Sequence, residues 1–270
     1  MWKYIMALLR IFIAVAFIIP VYWTFVIATG AKGAAYSLPP IFYPAFHFHA
    51  MWIVLTQTKW FRYLFNSILI TTLTILSVLI SSIAAGYALS EINVKGKNII
   101  FYLMLGVMML PGQALLIPQY VVMFHLHLLN SYAGLILPFT ASSSGIFLFR
   151  QYFMKMPKSY REVSLVENVS TWTYIRRVAI PLAKPAVATV TLLTFISSWN
   201  QFQWPLIMTD TTTLDPIELA LTHYMQTYQA NWRELTSASL LALLPIIIVF
   251  LFTQKHIVAA VAGGEQGGKD

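Results

Sequence analysis

Residues 159–185 read SYREVSLVENVSTWTYIRRVAIPLAKP, a charged segment in a chain that is otherwise strongly apolar. Ser159 followed by Glu162 has the spacing of a capping box, in which the hydroxyl and the carboxylate satisfy free amides where a helix starts. Asn168 stands where that helix should end, because asparagine tolerates a left-handed turn. Ser170 is the predicted N-cap of a second helix. The segment therefore predicts a helix–turn–helix outside the apolar parts of the chain.

The first helix of this segment is predicted to be about eight residues long, too short to be stable alone. Tyr160, Val163 and Val166 follow each other at i, i+3 spacing and form an apolar stripe that needs a partner groove. The alternative is a connector that lies on lipid headgroups. Glu162 and Glu167 count against it, because anionic lipid repels carboxylates. Docking by something outside the bilayer is the favoured interpretation.

The composition predicts a membrane protein. Of 270 residues, 59% are hydrophobic and 10% are charged, against about 25% charged in a soluble domain, and the mean hydropathy is +0.71. The absence of cysteine excludes disulfides, thiolate zinc sites and cysteine nucleophiles. The net charge of +8 is explained by basic loops on one side of a membrane, so no nucleic-acid partner is expected.

Six segments are long and apolar enough to span a bilayer. They are residues 4–29, 64–89, 99–124, 133–153, 178–208 and 236–254. Residues 5–28 are too long for a signal-peptide core and lack a convincing cleavage site, so we expect a retained span. Pro111 and Pro118 should kink the third span. The core of the fifth is expected between Pro185 and Trp204.

The basic residues predict the orientation of these spans. One set of segments, made up of the ends of the spans and the connections on one side, carries thirteen of them, namely Lys3, Arg10, Lys95, Lys97, Arg150, Lys155, Lys158, Arg161, Arg176, Arg177, Lys184, Lys255 and Lys269. The other set carries four, namely Lys32, Lys59, Arg62 and Arg233. By the positive-inside rule, both termini and the 154–177 loop are cytoplasmic, and connections 30–63 and 209–235 lie outside. Residues 1–270 are expected to form one transmembrane domain.

The sequence holds no recognisable catalytic or metal-binding pattern. No glycine-rich phosphate loop or nucleotide-binding lysine motif is present. The closely spaced histidine pairs could suit a metal, but interfacial aromatic residues are the favoured interpretation; they are His47 with His49 and His125 with His127. No acidic residue lies in a predicted span core, which weighs against a proton-coupled pump. We therefore expect no metal site and no enzyme activity in this chain.

Residues 162–168, EVSLVEN, resemble the E-A-A-x-x-x-G loop of ABC-importer permease subunits. Four further segments fit the same family, namely 130–135 (NSYAGL), 148–153 (LFRQYF), 180–186 (IPLAKPA) and 198–206 (SWNQFQWPL), together with Asn66-Ser67. They are most similar to the carbohydrate-uptake type, which includes the maltose-transporter inner subunit and the sn-glycerol-3-phosphate permease subunits. The chain departs from the motif at Val163, Ser164, Glu167 and Asn168, where the family has Ala, Ala, Asp and Gly.

The resemblance implies an all-α integral membrane permease with six transmembrane helices and a cytoplasmic coupling helix between spans 4 and 5. It implies a sister permease subunit, two ABC ATPase subunits that bind ATP and Mg²⁺, and an extracytoplasmic solute-binding protein in a prokaryotic cytoplasmic (inner) membrane. No cofactor is expected on this chain itself. The implied ATPase-coupling residues are Ser159, Glu162, Val163, Ser164, Leu165, Val166, Glu167 and Asn168.

The solute pathway is predicted where amides and aromatic rings combine, since sugar hydroxyls pair with amides and sugar faces stack on rings. The candidate residues are Gln113, Gln119, Trp199, Asn200, Gln201 and Gln203. The alternative is that they join helices and form an aromatic belt. A shortage of buried basic residues favours a neutral sugar or oligosaccharide over glycerol-3-phosphate or another polyol phosphate. A membrane scaffold or enzyme is the third possibility.

Overall fold

The structure, a computed structural model, describes residues 2–266 apart from residues 32, 94 and 226–230, with side chains as far as Gln254. Lys32, Lys269 and the side chain of Lys255, which entered the charge count, lie outside the described part. The α-helices are α1 (Trp2–Thr29), α2 (His49–Gln57), α3 (Trp60–Glu91), α4 (Lys97–Met108), α5 (Leu116–His125), α6 (Tyr132–Ile136), α7 (Ser143–Met154), α8 (Lys158–Val166), α9 (Thr171–Tyr174), α10 (Ile180–Leu182), α11 (Lys184–Trp199), α12 (Gln203–Met208), α13 (Ile217–Leu221) and α14 (Trp232–Gln266). Within the described ranges the chain contains no strand, so the predicted all-α class is confirmed.

Three helices are each long and apolar enough to cross a membrane: α1, α3 and the Trp232–Gln254 part of α14. Three further pairs meet the same criteria only when taken together, and each pair is bent. They are Lys97–Met108 with Gly112–His125 (97°), Tyr132–Phe139 with Ser143–Met154 (45°) and Thr171–Leu182 with Lys184–Trp199 (81°). Length and composition thus allow up to six spans, and each overlaps one of the predicted segments.

The proline predictions were half right. Pro111 has extended backbone (φ −66°, ψ 126°) and lies in the break between α4 and the short turn Gly112–Leu115. Pro118 does not kink the chain, because it sits in the first turn of α5, where its missing N–H has no helical partner to lose. The predicted fifth core was also wrong at its far end. Helix α11 stops at Trp199, and α12 begins only after the non-helical Asn200, Gln201 and Phe202.

The described chain divides into two compact units. The first comprises Met1–Asn66 and Asp215–Ile247. Most of α1 is exposed, and only its last four residues, Val26 to Thr29, are buried. Inside this unit the Asn66 side-chain amide donates to the backbone oxygen of Asp215 (2.9 Å), and the Tyr224 hydroxyl donates to Thr58 Oγ1 (3.1 Å).

The second unit comprises Ser67–Leu214 and Ile248–Asp270, and it has two apolar cores. One core contains Val78, Tyr87, Phe149, Phe153, Tyr174, Ile175, Ala179, Ala183, Ala186 and Val190. The other contains Ile70, Met123, Leu135, Trp204 and Met208. Gly86 lets α3 approach α7 closely, because a Cβ there would lie 2.8 Å from Phe149 Cβ. These two cores fix the ends of the elements that carry the candidate site.

Candidate functional site

Helix α8, called the docking helix below, begins two residues earlier than the sequence indicated. Its N-cap is Pro157, and no side chain caps it. The Pro157 carbonyl accepts the Tyr160 N–H (3.2 Å), so the first turn forms around the proline. Ser159 is therefore already helical, and its hydroxyl cannot cap. The predicted capping box of Ser159 and Glu162 was wrong.

The apolar side chains of the docking helix are exposed. Val166 is 82% exposed, Leu165 58% and Val163 54%. Glu162 and Glu167 are also exposed. A short helix with three uncovered aliphatic side chains presents a surface suited to another protein.

Ser164 is the exception among the residues predicted to couple. It is buried, 5% exposed, and its hydroxyl donates to the Arg161 carbonyl (2.7 Å). This bond lies within the docking helix, and the burial of Ser164 marks the side of the helix that is covered by its own unit. A neighbouring groove of about 380 Å³ is lined by Ser159, Tyr160, Val163, Ser164, Glu167, Val169, Tyr174 and Val178.

The turn after the docking helix has the predicted left-handed residue. Asn168 has φ 52°. Its N–H donates to Leu165 O (3.2 Å), and the Val169 N–H donates to Ser164 O (2.8 Å). This pair of bonds is a Schellman motif, which satisfies the last carbonyls of the helix. Ser170 caps α9 as predicted, since its hydroxyl accepts the Thr173 N–H (3.3 Å).

Two adjoining cavities lie in the second unit. The first, called the polar cavity below, has a volume of about 250 Å³. Six hydroxyl side chains and one amide line it along with apolar groups: Thr74, Ser142, Ser144, Thr194, Ser197, Ser198 and Gln201, with Val78, Phe139, Ala141 and Leu193. No charged side chain is among them. Thr74 is 3% exposed, and its hydroxyl has no hydrogen-bond partner within the described part of the chain.

The second cavity, of about 360 Å³, brings together four of the six residues predicted for the solute pathway. Its lining consists of Gly112, Leu116, Gln119, Phe139, Asn200, Gln201, Phe202, Gln203 and Trp204. Gln201 and Phe139 border both cavities. Amides and aromatic rings therefore continue into a hydroxyl-lined space.

The two remaining pathway candidates lie elsewhere. Trp199 is 1% exposed and stacks on Phe195, with ring centroids 5.4 Å apart. Its ring belongs to the interior and lines neither cavity. Gln113 is exposed in the turn Gly112–Leu115, away from the lining of both cavities. The signal that sequence reasoning missed is the spacing of Thr194, Ser197 and Ser198, which places three hydroxyls on one face of α11.

Sequence reasoning also missed a polar pair in the first unit, formed by the buried Asp215 and the half-buried His223. Asp215 is 4% exposed, and its carboxylate lies 2.8 Å from His223 Nε2. Burial raises the pKa of nearby Glu218 in α13. No group of three or more His, Asp or Glu side chains suited to a metal occurs within the described ranges. The pair therefore links Asp215 to His223 at the two ends of α13.

The described residues form helices and no strands, and up to six helices or bent helix pairs are long and apolar enough to cross a membrane. This is the class of a multi-pass, all-α membrane protein. The family described as binding-protein-dependent transport system inner membrane component matches residues 77–263. The chain belongs to this family.

Relatives with assigned roles are also components of transport systems. The arabinooligosaccharides transport system permease protein AraQ of Bacillus subtilis is 35% identical over 209 residues, covering 77% of this chain and 74% of that protein. The sn-glycerol-3-phosphate transport system permease protein UgpE of Escherichia coli K12 is 29% identical over 275 residues, covering 98% of both. These relatives are transport permease subunits and not enzymes.

A solved structure supports the same fold. It is a crystal structure of a bacterial ABC transporter involved in the import of the acidic polysaccharide alginate. The match has a TM-score of 0.85 at 24% identity, and it covers 94% of this chain and 95% of that one. The fold is therefore that of an ABC permease chain.

Proposed function

We propose that this chain is a permease subunit of an ATP-driven importer for a sugar or oligosaccharide, and that the docking helix couples it to an ATPase. The observation that carries the proposal is the uncovered aliphatic surface of Val163, Leu165 and Val166. In the proposed complex this surface inserts into a cleft of a cytoplasmic ATPase subunit. Two ATPase subunits bind ATP and Mg²⁺, a sister permease completes the pathway, and an extracytoplasmic binding protein delivers the solute.

The proposed mechanism is a mechanical one. Closure of the ATPase pair on ATP moves the docking helix as a rigid body, and the spans change between inward- and outward-facing states. The Schellman turn at Asn168 and the Ser170 cap support this reading, because they fix the angle between the docking helix and α9. Glu162 and Glu167 are exposed beside the aliphatic surface and are proposed to orient it against the partner.

The polar cavity and its neighbour support a neutral solute. Hydroxyls and amides can donate to and accept from sugar hydroxyls, and Phe139 offers a ring face to both cavities. The absence of a lysine or arginine among the lining residues is unfavourable for a phosphate ester, which is normally bound by such groups. Glycerol-3-phosphate stays the second candidate, since UgpE is a relative along nearly the whole chain.

Co-purification from the native membrane in mild detergent tests the docking proposal. Wild-type chain should retain an ABC ATPase and a sister permease. Leu165→Asp should lose the ATPase, because a carboxylate would enter an apolar contact; a loss of about tenfold or more is expected. Leu38→Asp is the matched control, since Leu38 is 92% exposed but belongs to the connection predicted to lie outside. Equal ATPase recovery with both variants, or a solitary wild-type chain, would contradict the proposal.

Uptake by the reconstituted complex tests the solute pathway. Thr194→Val should lower sugar uptake about three- to tenfold, the loss of one ligand hydrogen bond. Thr189→Val is the control on the same helix, because the Thr189 hydroxyl donates to Pro185 O (2.9 Å) and does not line the cavity. Unchanged uptake in Thr194→Val would remove the cavity from the pathway. Competition by glycerol-3-phosphate, with none by neutral oligosaccharides, would establish the second candidate.

A further inference from the structure

The inner side of the docking helix carries a charged side chain that meets two aromatic rings. The guanidinium carbon of Arg161 lies 5.2 Å from the ring centroid of Tyr174 and 5.7 Å from that of Tyr87. Both distances are within the range of a cation–π contact. Both tyrosines are 2% exposed. Arg161 is thus half-buried, with its guanidinium group against an aromatic socket formed by Tyr87 and Tyr174.

The two rings of this socket come from different elements. Tyr87 lies near the end of α3, and Tyr174 is the last residue of α9. Their ring centroids are 6.2 Å apart. Tyr87 also packs edge-on against Phe153 of α7, at 6.1 Å. One side chain of the docking helix therefore reaches a long apolar helix directly.

The socket leaves polar groups unsatisfied. Arg161 Nη1 and the Tyr87 hydroxyl are both buried, and neither has a hydrogen-bond partner in the described part of the chain. A guanidinium that served only to fasten the helix would normally be paired with a carboxylate or carbonyl. This contact depends on ring faces, which have no fixed hydrogen-bond direction. Such a contact can pass a displacement of the docking helix on to the rings while the angle between guanidinium and ring changes slightly.

We propose that Arg161 is a positioning residue that transmits movement of the docking helix to α3 through the faces of Tyr87 and Tyr174. The proposal rests on the coupling function proposed above and adds the path by which movement enters the spans. The outward residues Val163, Leu165 and Val166 would receive the movement, and the inward Arg161 would pass it on. Arg161 is thereby assigned to coupling and not to partner binding.

The test measures ATP hydrolysed per solute transported by the complete complex in proteoliposomes. Arg161→Met keeps an unbranched, flexible stem and removes the charged guanidinium group. It should keep the ATPase bound and hydrolysing, while uptake falls about tenfold, so that the ratio rises by that factor. Arg161→Lys should be intermediate, because it retains charge without the planar group. Lys158→Met removes a charge from an exposed position on the same helix and should leave the ratio unchanged.

Substitutions of Tyr87, which contacts Arg161 through its ring, test the same proposal independently. Tyr87→Phe keeps the ring face, removes only the unpartnered hydroxyl, and should behave as wild type. Tyr87→Leu removes the face and should raise the ratio as Arg161→Met does. The double variant should be no worse than either single variant, since both break one contact. A wild-type ratio in Arg161→Met, or additive losses in the double variant, would overturn the proposal.

Two results separate this proposal from the function on which it rests. If the wild-type complex shows no ATP-dependent uptake, the proposed function fails and Arg161 is not the cause. If the Arg161→Met chain does not assemble into the complex, the movement can be measured instead with two spin labels in the chain that carries Tyr87→Leu. The sequence has no cysteine, so Lys158→Cys and Ile92→Cys supply the two labelling sites on this chain. With Tyr87 in place, adding ATP should leave the distance between the two labels constant. In Tyr87→Leu, adding ATP should change that distance. An unchanged distance in Tyr87→Leu would also overturn the proposal.

Discussion

The docking helix and α12 are both short, yet α12 buries most of its apolar side chains and the docking helix exposes its own. Helix α12 buries Trp204, Pro205 and Met208. The docking helix exposes Val163, Leu165 and Val166 and buries only Ser164. Helix α12 is thus placed by the core of its own chain, whereas the docking helix is placed by its turn and by Arg161, and its aliphatic surface stays exposed.

This difference predicts that substitutions at the two helices affect different properties: the stability of the chain at α12, and its association with other subunits at the docking helix. Trp204 donates from Nε1 to Gly134 O (3.1 Å) and packs edge-on against Phe139 at 5.8 Å. Changes near α12 should therefore act on the free energy of unfolding of the chain. Changes on the docking helix should act on association and transport, with little effect on the unfolding of the isolated chain.

The largest effect is expected at the turn that ends the docking helix. Asn168→Pro is incompatible with φ 52°, because the ring holds φ near −65°, and it deletes the N–H bond to Leu165 O. The local cost is about 3 kcal/mol. Insertion should survive, and ATPase recovery in co-purification should fall at least about tenfold. Asn168→Gly permits the same φ and should retain the ATPase. Retention by the proline variant would show that the turn does not set the docking geometry.

A smaller effect, on stability alone, is expected beside α12. A Cβ on Gly134 would lie 2.1 Å from Leu128 O and 2.6 Å from Met208 Cε. Gly134→Ala should therefore destabilise the chain by about 1–3 kcal/mol, seen as a lower melting temperature in detergent. Gly106→Ala is the control, since nothing lies within 4 Å of its added Cβ. Equal melting temperatures would mean that α12 can shift, and the contrast between the two helices would weaken.

The same contrast explains what the sequence could predict. Apolar length and turn chemistry are local, so the candidate spans, the left-handed Asn168 and the Ser170 cap could all be anticipated. The Ser159 error was also local in origin: Pro157 caps the helix two residues before Ser159, although the S-x-x-E spacing favoured a later start.

Tertiary placement could not be predicted. Asn200, Gln201 and Gln203 lie at one cavity with Gln119, but Trp199 turns into the core beside Phe195. One step along a helix rotates a side chain by about 100°, and only the packing of neighbouring elements decides which residue meets the cavity. The same holds for Thr74, which lines the polar cavity, and for the Asp215–His223 pair, whose members lie on either side of α13.

The smallest effect tests the two serines that the sequence treated alike. Ser170 accepts the Thr173 N–H, whereas Ser159 caps nothing. Ser170→Ala should cost about 1 kcal/mol, which corresponds to about fivefold faster hydrogen exchange of the Thr173 amide. Ser159→Ala should leave amide exchange in the first turn of the docking helix unchanged, because no bond is lost. Faster exchange there would restore the capping box and would mean that Ser159 is the N-cap of the docking helix. Unchanged exchange in both variants would instead show that packing of Tyr174, and not the cap, holds α9 in place.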